Sequence, residues 1–94
     1  MQFEWDPDKA ASNLNKHGVC FEEATTVFAN PLALIFEDEE HSQDEVREII
    51  IGHSERNRLL LVSFTERQRS SLRIISARVA TRRERDDYEQ NAFS

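Results

Sequence analysis

The sequence is poor in cysteine and contains no long apolar run. Cys20 is the only cysteine, so no internal disulfide can form, and neither a CxxC nor an HExxH pattern marks a redox or metal site. No apolar stretch approaches the roughly 20 residues that cross a bilayer. The first ten residues, MQFEWDPDKA, lack the basic segment and apolar run of a signal peptide. We therefore expect a cytoplasmic protein without metal, cofactor or membrane contact.

Glycine and proline are equally scarce, with two of each in 94 residues. No flexible linker, internal repeat or low-complexity tract is visible. A chain of this length has room for one modest hydrophobic core. We expect a single domain over residues 1–94.

The net charge of −6 is unevenly distributed along the chain. Residues 1–53 carry twelve acidic and three basic side chains, whereas residues 54–85 carry nine arginines and three glutamates. Such segregation predicts a basic side that attracts an anionic polymer despite the acidic mean. The alternative is that folding brings the acids next to the arginines and removes the polarity.

Capping signals predict where the first two helices begin and end. Asp6 is suited to the N-cap and Pro7 to the first helical position, and Gly18 supplies a left-handed C-terminal residue. A second helix is expected over residues 21–29, where apolar side chains recur with helical spacing.

Five apolar segments predict strands, and the capping box formed by Thr81 and Glu84 predicts a last helix. Short connections between consecutive strands favour an antiparallel sheet, with the helices mainly on one face. We predict an α+β fold of order β-α-α-β-β-β-β-α, in which the segment 32–37 is mostly buried. The strands are expected at 3–5, 32–37, 46–53, 59–65 and 72–77, and the last helix at 81–90.

Three segments, FEWDPDKAASNLNKHGVCFEEA, RLLLVSFTER and RIISARVATRRERDDYE, together resemble the BrnT toxin family. They cover nearly the whole chain, in the order and at the spacing of that family. The resemblance implies a RelE-like fold and a metal-independent ribonuclease that acts on RNA. It also implies a BrnA-like ribbon-helix-helix antitoxin as partner. That antitoxin would inhibit the toxin and bind operator DNA, so that the toxin reaches DNA only through it and co-represses the operon.

One face of the first helix carries groups suited to metal-free RNA cleavage, which needs a base, an acid and cations that stabilise the phosphate. Either His17 or Lys16 would be the base, with Ala10 and Leu14 anchoring the helix to the sheet. The alternative is a plain solvated face. The residues of this face, within an arc of roughly 100°, are Lys9, Asn13, Lys16 and His17.

Arg78 and Arg67 are the two arginines that the family motif implies at the catalytic centre. Period two places Arg78 in the apolar row of Leu72, Ile74 and Ser76, where it needs an anionic partner. That partner would be an RNA phosphate or, alternatively, the carboxylate of Glu66 or Glu84. In a simple hairpin, however, Arg67 lies ~20 Å from Arg78, which is too far for one phosphate.

Further RNA contacts are expected from Arg82 and Arg83, because a phosphate at the first turn of a helix would offset their conflict with the helix dipole. Tyr88 and Trp5 are candidates for stacking on bases, and core packing is the alternative for both. The acidic segment 37–48 is expected to avoid RNA and to attract a basic partner segment. The acidic excess also motivates a second function, that of a catalytically inactive binding module within a toxin–antitoxin repressor complex.

Overall fold

The computed structural model describes residues 1–68 and 70–93. Its elements follow the expected order, with short 3-10 turns at Val27–Ala29 and Glu39–His41. In these two ranges no helix is long and apolar enough to cross a membrane. The helices are α1 (Pro7–His17), α2 (Phe21–Thr26) and α3 (Arg82–Phe93), and the strands are β1 (Gln2–Glu4), β2 (Leu34–Glu37), β3 (Glu48–His53), β4 (Leu59–Glu66) and β5 (Ser71–Val79).

The helix ends confirm the capping predictions. The Asp6 carboxylate accepts a hydrogen bond from the Asp8 backbone N–H at 2.9 Å, and Gly18 ends α1 with a φ of 68°. At α3, the Thr81 hydroxyl accepts from the Glu84 N–H at 3.2 Å while the Glu84 carboxylate accepts from the Thr81 N–H at 2.8 Å. These bonds satisfy backbone donors that the first helical turn leaves unpaired.

The five strands form one mixed sheet in the order β1-β5-β4-β3-β2. Strands β2 to β5 form an antiparallel meander, as expected from their short connections. The prediction of a wholly antiparallel sheet is wrong for β1, which pairs in parallel with β5 from Gln2↔Ser71 to Glu4↔Arg73. The pairing joins the two ends of the chain, so no short turn announces it in the sequence. The implied relation to the RelE fold stays a prediction.

The sheet is covered on both faces, although the helices were expected mainly on one. Helices α1 and α2 pack on the first face, and Tyr88 of α3 packs on the second. The first core consists of Val19, Phe21, Ala24, Val27, Ile50, Leu60, Val62, Phe64, Leu72, Ile74 and Ala77, and the second of Ile51, Leu59, Leu61 and Tyr88.

Strand β2 is an exposed edge, whereas the segment 32–37 was expected to be mostly buried. All four of its residues are exposed, with Ile35 at 55% and Phe36 at 48% of their full accessible surface. In the part of the chain that the structure describes, it pairs with β3 alone and its other side has no neighbouring strand. Apolar composition therefore did not indicate burial here.

A β-bulge in β5 changes which side chains share a face. Ser76 pairs with Ser63, but the next pair uses Ile74, so Ile75 is an extra residue. The bulge shifts the period-two alternation by one. Ile74 faces the first core, whereas Ser76 and Arg78 lie on the second face. The prediction that Leu72, Ile74, Ser76 and Arg78 form one row is wrong for this reason.

Candidate nucleic-acid interface

The polar face of α1 lies against the outer edge of β5. Strand β1 covers that edge only as far as Arg73, and α1 takes its place further along. Lys9, Lys16 and His17 are all exposed there. They border a shallow groove of about 190 Å³ that we call the helix-edge groove. Its lining residues are Lys9, Ser12, Asn13, Lys16, His17, Ile75 and Ser76.

Asn13 holds α1 to β5 and is the buried residue of this face. Its side-chain amide donates to the carbonyls of Ala77 at 2.8 Å and Val19 at 3.0 Å. Its side-chain oxygen accepts from the Ala77 N–H at 3.0 Å. Leu14, which was expected to anchor the helix beside Ala10, is exposed instead. An unpaired strand edge needs hydrogen bonds, which an amide supplies and a leucine does not.

A second groove lies on the second face of the sheet, on the side of β5 that follows the bulge. It has a volume of about 290 Å³ and we call it the sheet-face groove. Hydroxyls, two arginines, one histidine and one aspartate line it, and the two arginines are suited to binding an anion. The lining residues are Asp38, His41, Arg47, Ile49, Leu61, Ser63, Ile75, Ser76 and Arg78.

Arg78 is oriented in this groove by Glu84 at the start of α3. Its two terminal nitrogens donate to the two oxygens of Glu84 at 2.7 and 2.8 Å. This bidentate pair lowers the pKa of Glu84 to about 2, against the opposing effect of burial. Three of the five guanidinium N–H donors stay available, and the Arg78 side chain is 42% exposed. The alternative of an ion pair with Glu84 therefore holds, and it leaves donors for a phosphate.

Sequence reasoning missed two residues of the sheet-face groove, Arg47 and His41. Within the described ranges, Nε of Arg47 is buried without a hydrogen-bond partner. Nδ1 of His41 lies 2.9 Å from a carboxylate oxygen of Asp38. Both belong to the segment 37–48, which the sequence analysis expected to avoid RNA and to attract a basic partner segment. The D-x-x-H spacing within a turn was the signal available for the second residue.

The two grooves adjoin at the bulge, because Ile75 and Ser76 line both of them. The amino group of Lys16 and the ring of His17 thus border one side of this segment, and the guanidinium of Arg78 borders the other. Elements far apart in the sequence, α1 and the end of β5, are brought to the same stretch of surface. One extended ligand can run across both grooves.

Comparisons with known proteins identify the family. The family described as "Ribonuclease toxin, BrnT, of type II toxin-antitoxin system" matches residues 5–84, a range that includes both grooves. The chain belongs to the BrnT toxin family. The crystal structure of the Brucella abortus ribonuclease toxin BrnT is similar, with a TM-score of 0.69 and 26% identity over 87% of this chain and 99% of that one. Among curated proteins there is no significant match.

In this BrnT-family protein Arg67 lies far from Arg78. Arg78 pairs with Leu61, while Arg67 follows the opposite end of β4 and forms an ion pair with Glu45 at 3.3 Å. Five residue steps of about 3.3 Å separate Leu61 and Glu66 along β4. Arg67 borders a cavity of about 990 Å³ whose lining includes Glu4, Glu45, Glu48 and Glu66. Arg67 and Arg78 therefore do not serve one phosphate, and this acidic cavity would repel one.

The other candidate RNA contacts of the BrnT-family chain divide into exposed arginines and packed aromatic rings. Arg82 and Arg83 are exposed in the first turn of α3. The Tyr88 ring is buried, and its hydroxyl donates to the Leu32 carbonyl at 2.9 Å. Trp5 packs against the first core with its ring centroid 5.8 Å from that of Phe21. The Tyr88 ring thus belongs to the second core and is unavailable for stacking, and the partly buried Trp5 ring packs against the first core.

Folding removes part of the charge segregation that the sequence displays. Within residues 1–68 and 70–93, three glutamates pair with arginines of the basic segment 54–85, and two of these glutamates come from residues 1–53. The deepest pair joins Glu23, which is 3% exposed, to Arg58. The three pairs are Glu23–Arg58, Glu45–Arg67 and Glu84–Arg78.

The described residues of the BrnT fold contain no cluster suited to a metal ion. Within residues 1–68 and 70–93, no three His, Cys, Asp or Glu side chains are grouped so that they could hold a metal ion.

Proposed function

We propose that the chain is a cytoplasmic endoribonuclease toxin of a type II toxin–antitoxin pair, and that it cleaves RNA without a metal ion. The observation that carries the proposal is the junction of the two grooves at Ile75 and Ser76, within the part of the chain that the BrnT family matches. An RNA strand crossing this junction meets cationic groups from α1 on one side and Arg78 on the other. Growth arrest would follow from loss of intact RNA.

The proposed chemistry is attack of a ribose 2′-hydroxyl on the adjacent phosphorus. Arg78 stabilises the charge that develops on the phosphoryl oxygens, because its planar fork can bind two oxygens while Glu84 holds it in place. Lys16 and His17 are the proton-transfer groups of the helix-edge groove. Lys9, Arg82 and Arg83 contribute phosphate contacts along the strand. Arg67, Tyr88 and Trp5 take no part in this proposal because of where they lie.

The test is incubation of the purified, partner-free protein with RNA in excess chelator. Cleavage is expected to leave 2′,3′-cyclic phosphate ends, and a 2′-deoxy substitution at the cleaved nucleotide should prevent it. Arg78→Ala should lower the rate by about 10²-fold, whereas Arg85→Ala, which removes an equal charge from an exposed position outside both grooves, should not. Equal cleavage by the folded Arg78→Ala variant would remove the proposed site.

The antitoxin is proposed to be a BrnA-like ribbon-helix-helix protein that carries the complex to operator DNA. Support for a docking surface comes from β2, whose apolar side chains are exposed beside the acidic turn 37–40. The Asp38 N–H donates to the Arg47 carbonyl of the neighbouring strand at 2.8 Å. Because hydrogen-bonding direction alternates along an antiparallel strand, the N–H and C=O groups of Ile35 and Glu37 point away from β3. An extended partner segment can add to this edge.

The charge around β2 favours a basic segment as the occupant. Glu37 lies directly opposite Glu48, and this like-charge pair is destabilising while no partner covers the sheet edge. Neighbouring acids at 38–40 add to this negative potential. A second copy of the chain would bring its own acids to the same edge, where like charges repel. The proposed occupant is therefore a basic and apolar segment of the antitoxin.

Partner binding without RNA cleavage is the outcome that would favour a catalytically inactive binding module. The observation that favours an inactive binding module is the neutralisation of Arg78 by Glu84. The chelator experiment separates the two functions, since only the ribonuclease loses an activity when the partner is added.

A further inference from the structure

The turn between β2 and β3 carries a histidine–aspartate pair that borders the sheet-face groove. Nδ1 of His41 lies 2.9 Å from Oδ2 of Asp38, and both residues line the groove. A carboxylate at Nδ1 favours the tautomer that carries its hydrogen there. Nε2 then keeps its lone pair and is available to accept a proton.

The turn itself is tied to the start of β3. The Ser42 hydroxyl donates to the Asp38 carbonyl at 2.7 Å and accepts from the Arg47 N–H at 2.9 Å. The Asp38 N–H donates to the Arg47 carbonyl at 2.8 Å. These bonds hold Asp38, and through it the imidazole, in a defined position. Catalytic groups need such support, because small displacements of a proton acceptor are costly.

Two arginines border the same groove as His41. Nε of Arg47 is buried, and within the described residues it has no hydrogen-bond partner. Arg78 has N–H donors beyond those that Glu84 occupies. Cations and a proton acceptor thus face one space, which is the combination that cleavage of a phosphodiester requires. The charged groups that surround His41 are Asp38, Glu40, Asp44, Glu45, Arg47 and Arg78.

We propose that His41 is the general base of RNA cleavage and that Asp38 is its positioning residue, an inference that rests on the proposed ribonuclease function. Nε2 of His41 takes the proton of the 2′-hydroxyl while O2′ forms a bond to phosphorus. The bond from phosphorus to O5′ breaks, and O5′ leaves with its electron pair. Protonated Lys16 or His17, across the bulge, returns a proton to O5′. Arg47 and Arg78 bind the non-bridging phosphate oxygens.

His41 is better placed for this role than His17. The imidazoles of His17 and His41 are both exposed, but among the described residues only His41 has a carboxylate partner. No arginine lines the groove of His17, whereas two line the groove of His41. The base in the sheet-face groove and the acid in the helix-edge groove would then lie on opposite sides of the scissile phosphate.

The test compares His41→Gln, Asp38→Asn and His17→Gln in single-turnover RNA cleavage with chelator across pH. His41→Gln should lower the rate by at least about 10²-fold and remove the rise of rate with pH below neutrality. Added imidazole should restore part of the activity of His41→Ala. Asp38→Asn should lower the maximal rate less and leave the RNA concentration for half-maximal rate unchanged, because the imidazole loses its orienting carboxylate but keeps Nε2.

Gln43→Ala, an exposed change in the same turn and outside the sheet-face groove, is the matched control and should leave the rate unchanged. Near-native cleavage by His41→Gln, with the pH limb removed by His17→Gln instead, would overturn the assignment while leaving the ribonuclease function intact. If the folded wild-type protein does not cleave RNA, both proposals fail. Circular dichroism on each variant separates loss of the base from loss of the fold.

Discussion

Removing Arg58 should show how much the stability of the fold depends on the cation that pairs with the buried Glu23 carboxylate. Glu23 is 3% exposed, and its oxygens accept hydrogen bonds from Nε and Nη2 of Arg58 and from the Ser54 hydroxyl. Arg58→Ala leaves the carboxylate with Ser54 alone. Breaking a buried pair in this way costs about 3–5 kcal/mol. Because Arg58 is 34% exposed, we reduce the expected loss to about 2–3 kcal/mol.

The pH dependence of that loss carries the more specific test. The hydrogen bonds from Arg58 lower the pKa of Glu23 below its ordinary value. A depressed pKa contributes stability above the unfolded value, and this contribution disappears as pH falls through the folded value. In Arg58→Ala, protonation of Glu23 removes the free-energy cost of burying an unpaired charge. The stability difference between wild type and variant should therefore shrink as pH falls from 7 towards 4.

Urea denaturation followed by circular dichroism measures both quantities. Arg56→Ala is the matched control, because it removes an exposed arginine two residues away and should change stability by less than about 0.5 kcal/mol. Adding Glu23→Gln to Arg58→Ala should restore part of the lost stability, since a neutral amide is less costly to bury unpaired. A loss below about 1 kcal/mol, or one that is constant with pH, would refute the reasoning.

Three further results are expected. Asn13→Ala should cost about 2–3 kcal/mol in urea denaturation, because it leaves three buried backbone groups without their partner; a loss under 0.5 kcal/mol would deny it the role of holding α1 to β5. The stabilisation from the Glu84–Arg78 pair should be complete above pH 4.5 and disappear as pH falls towards about 2, and an identical acid-unfolding curve for Glu84→Gln would contradict this. Charge reversal at Glu39 and Glu40 should slow antitoxin association several-fold at low salt in stopped-flow measurements; an unchanged on-rate would remove the acidic docking surface.

Local signals in the sequence predicted the local structure well. Asp6 and Gly18 bracket α1, and the Thr81–Glu84 capping box begins α3, because each of these features depends on residues within one or two turns. Strand positions followed from apolar segments bounded by polar turns. Alignment of β4 with β5 as a simple hairpin correctly separated Arg67 from Arg78.

Features that depend on distant parts of the chain were not predictable in the same way. The parallel pairing of β1 with β5 joins strands separated by most of the chain. The bulge at Ile75 moved Arg78 to the face opposite the one expected, because one extra residue reverses the alternation of a strand. Asn13 was assigned to an RNA-facing surface, since nothing local indicates that a strand edge needs its amide.

The candidate site was likewise predictable only in part. Lys16, His17 and Arg78 were selected by family motif and chemistry, and the fold brings them to the two sides of one short segment. His41 and Arg47 were overlooked because the surrounding run of acids is typical of a solvated loop. Their significance depends on the turn folding back over the sheet, which composition does not report.

The most direct test of the account is whether the two grooves bind one RNA strand. NMR titration of the protein with a short RNA made uncleavable by 2′-deoxy substitution would follow the backbone amides around His17, Ser76, Arg78 and His41. The account predicts that all four regions shift together with a single dissociation constant, while the amide of Arg67 in the acidic cavity stays unchanged. Shifts confined to one groove, or centred on Arg67, would contradict the claim that α1 and the bulged end of β5 form one ribonuclease site.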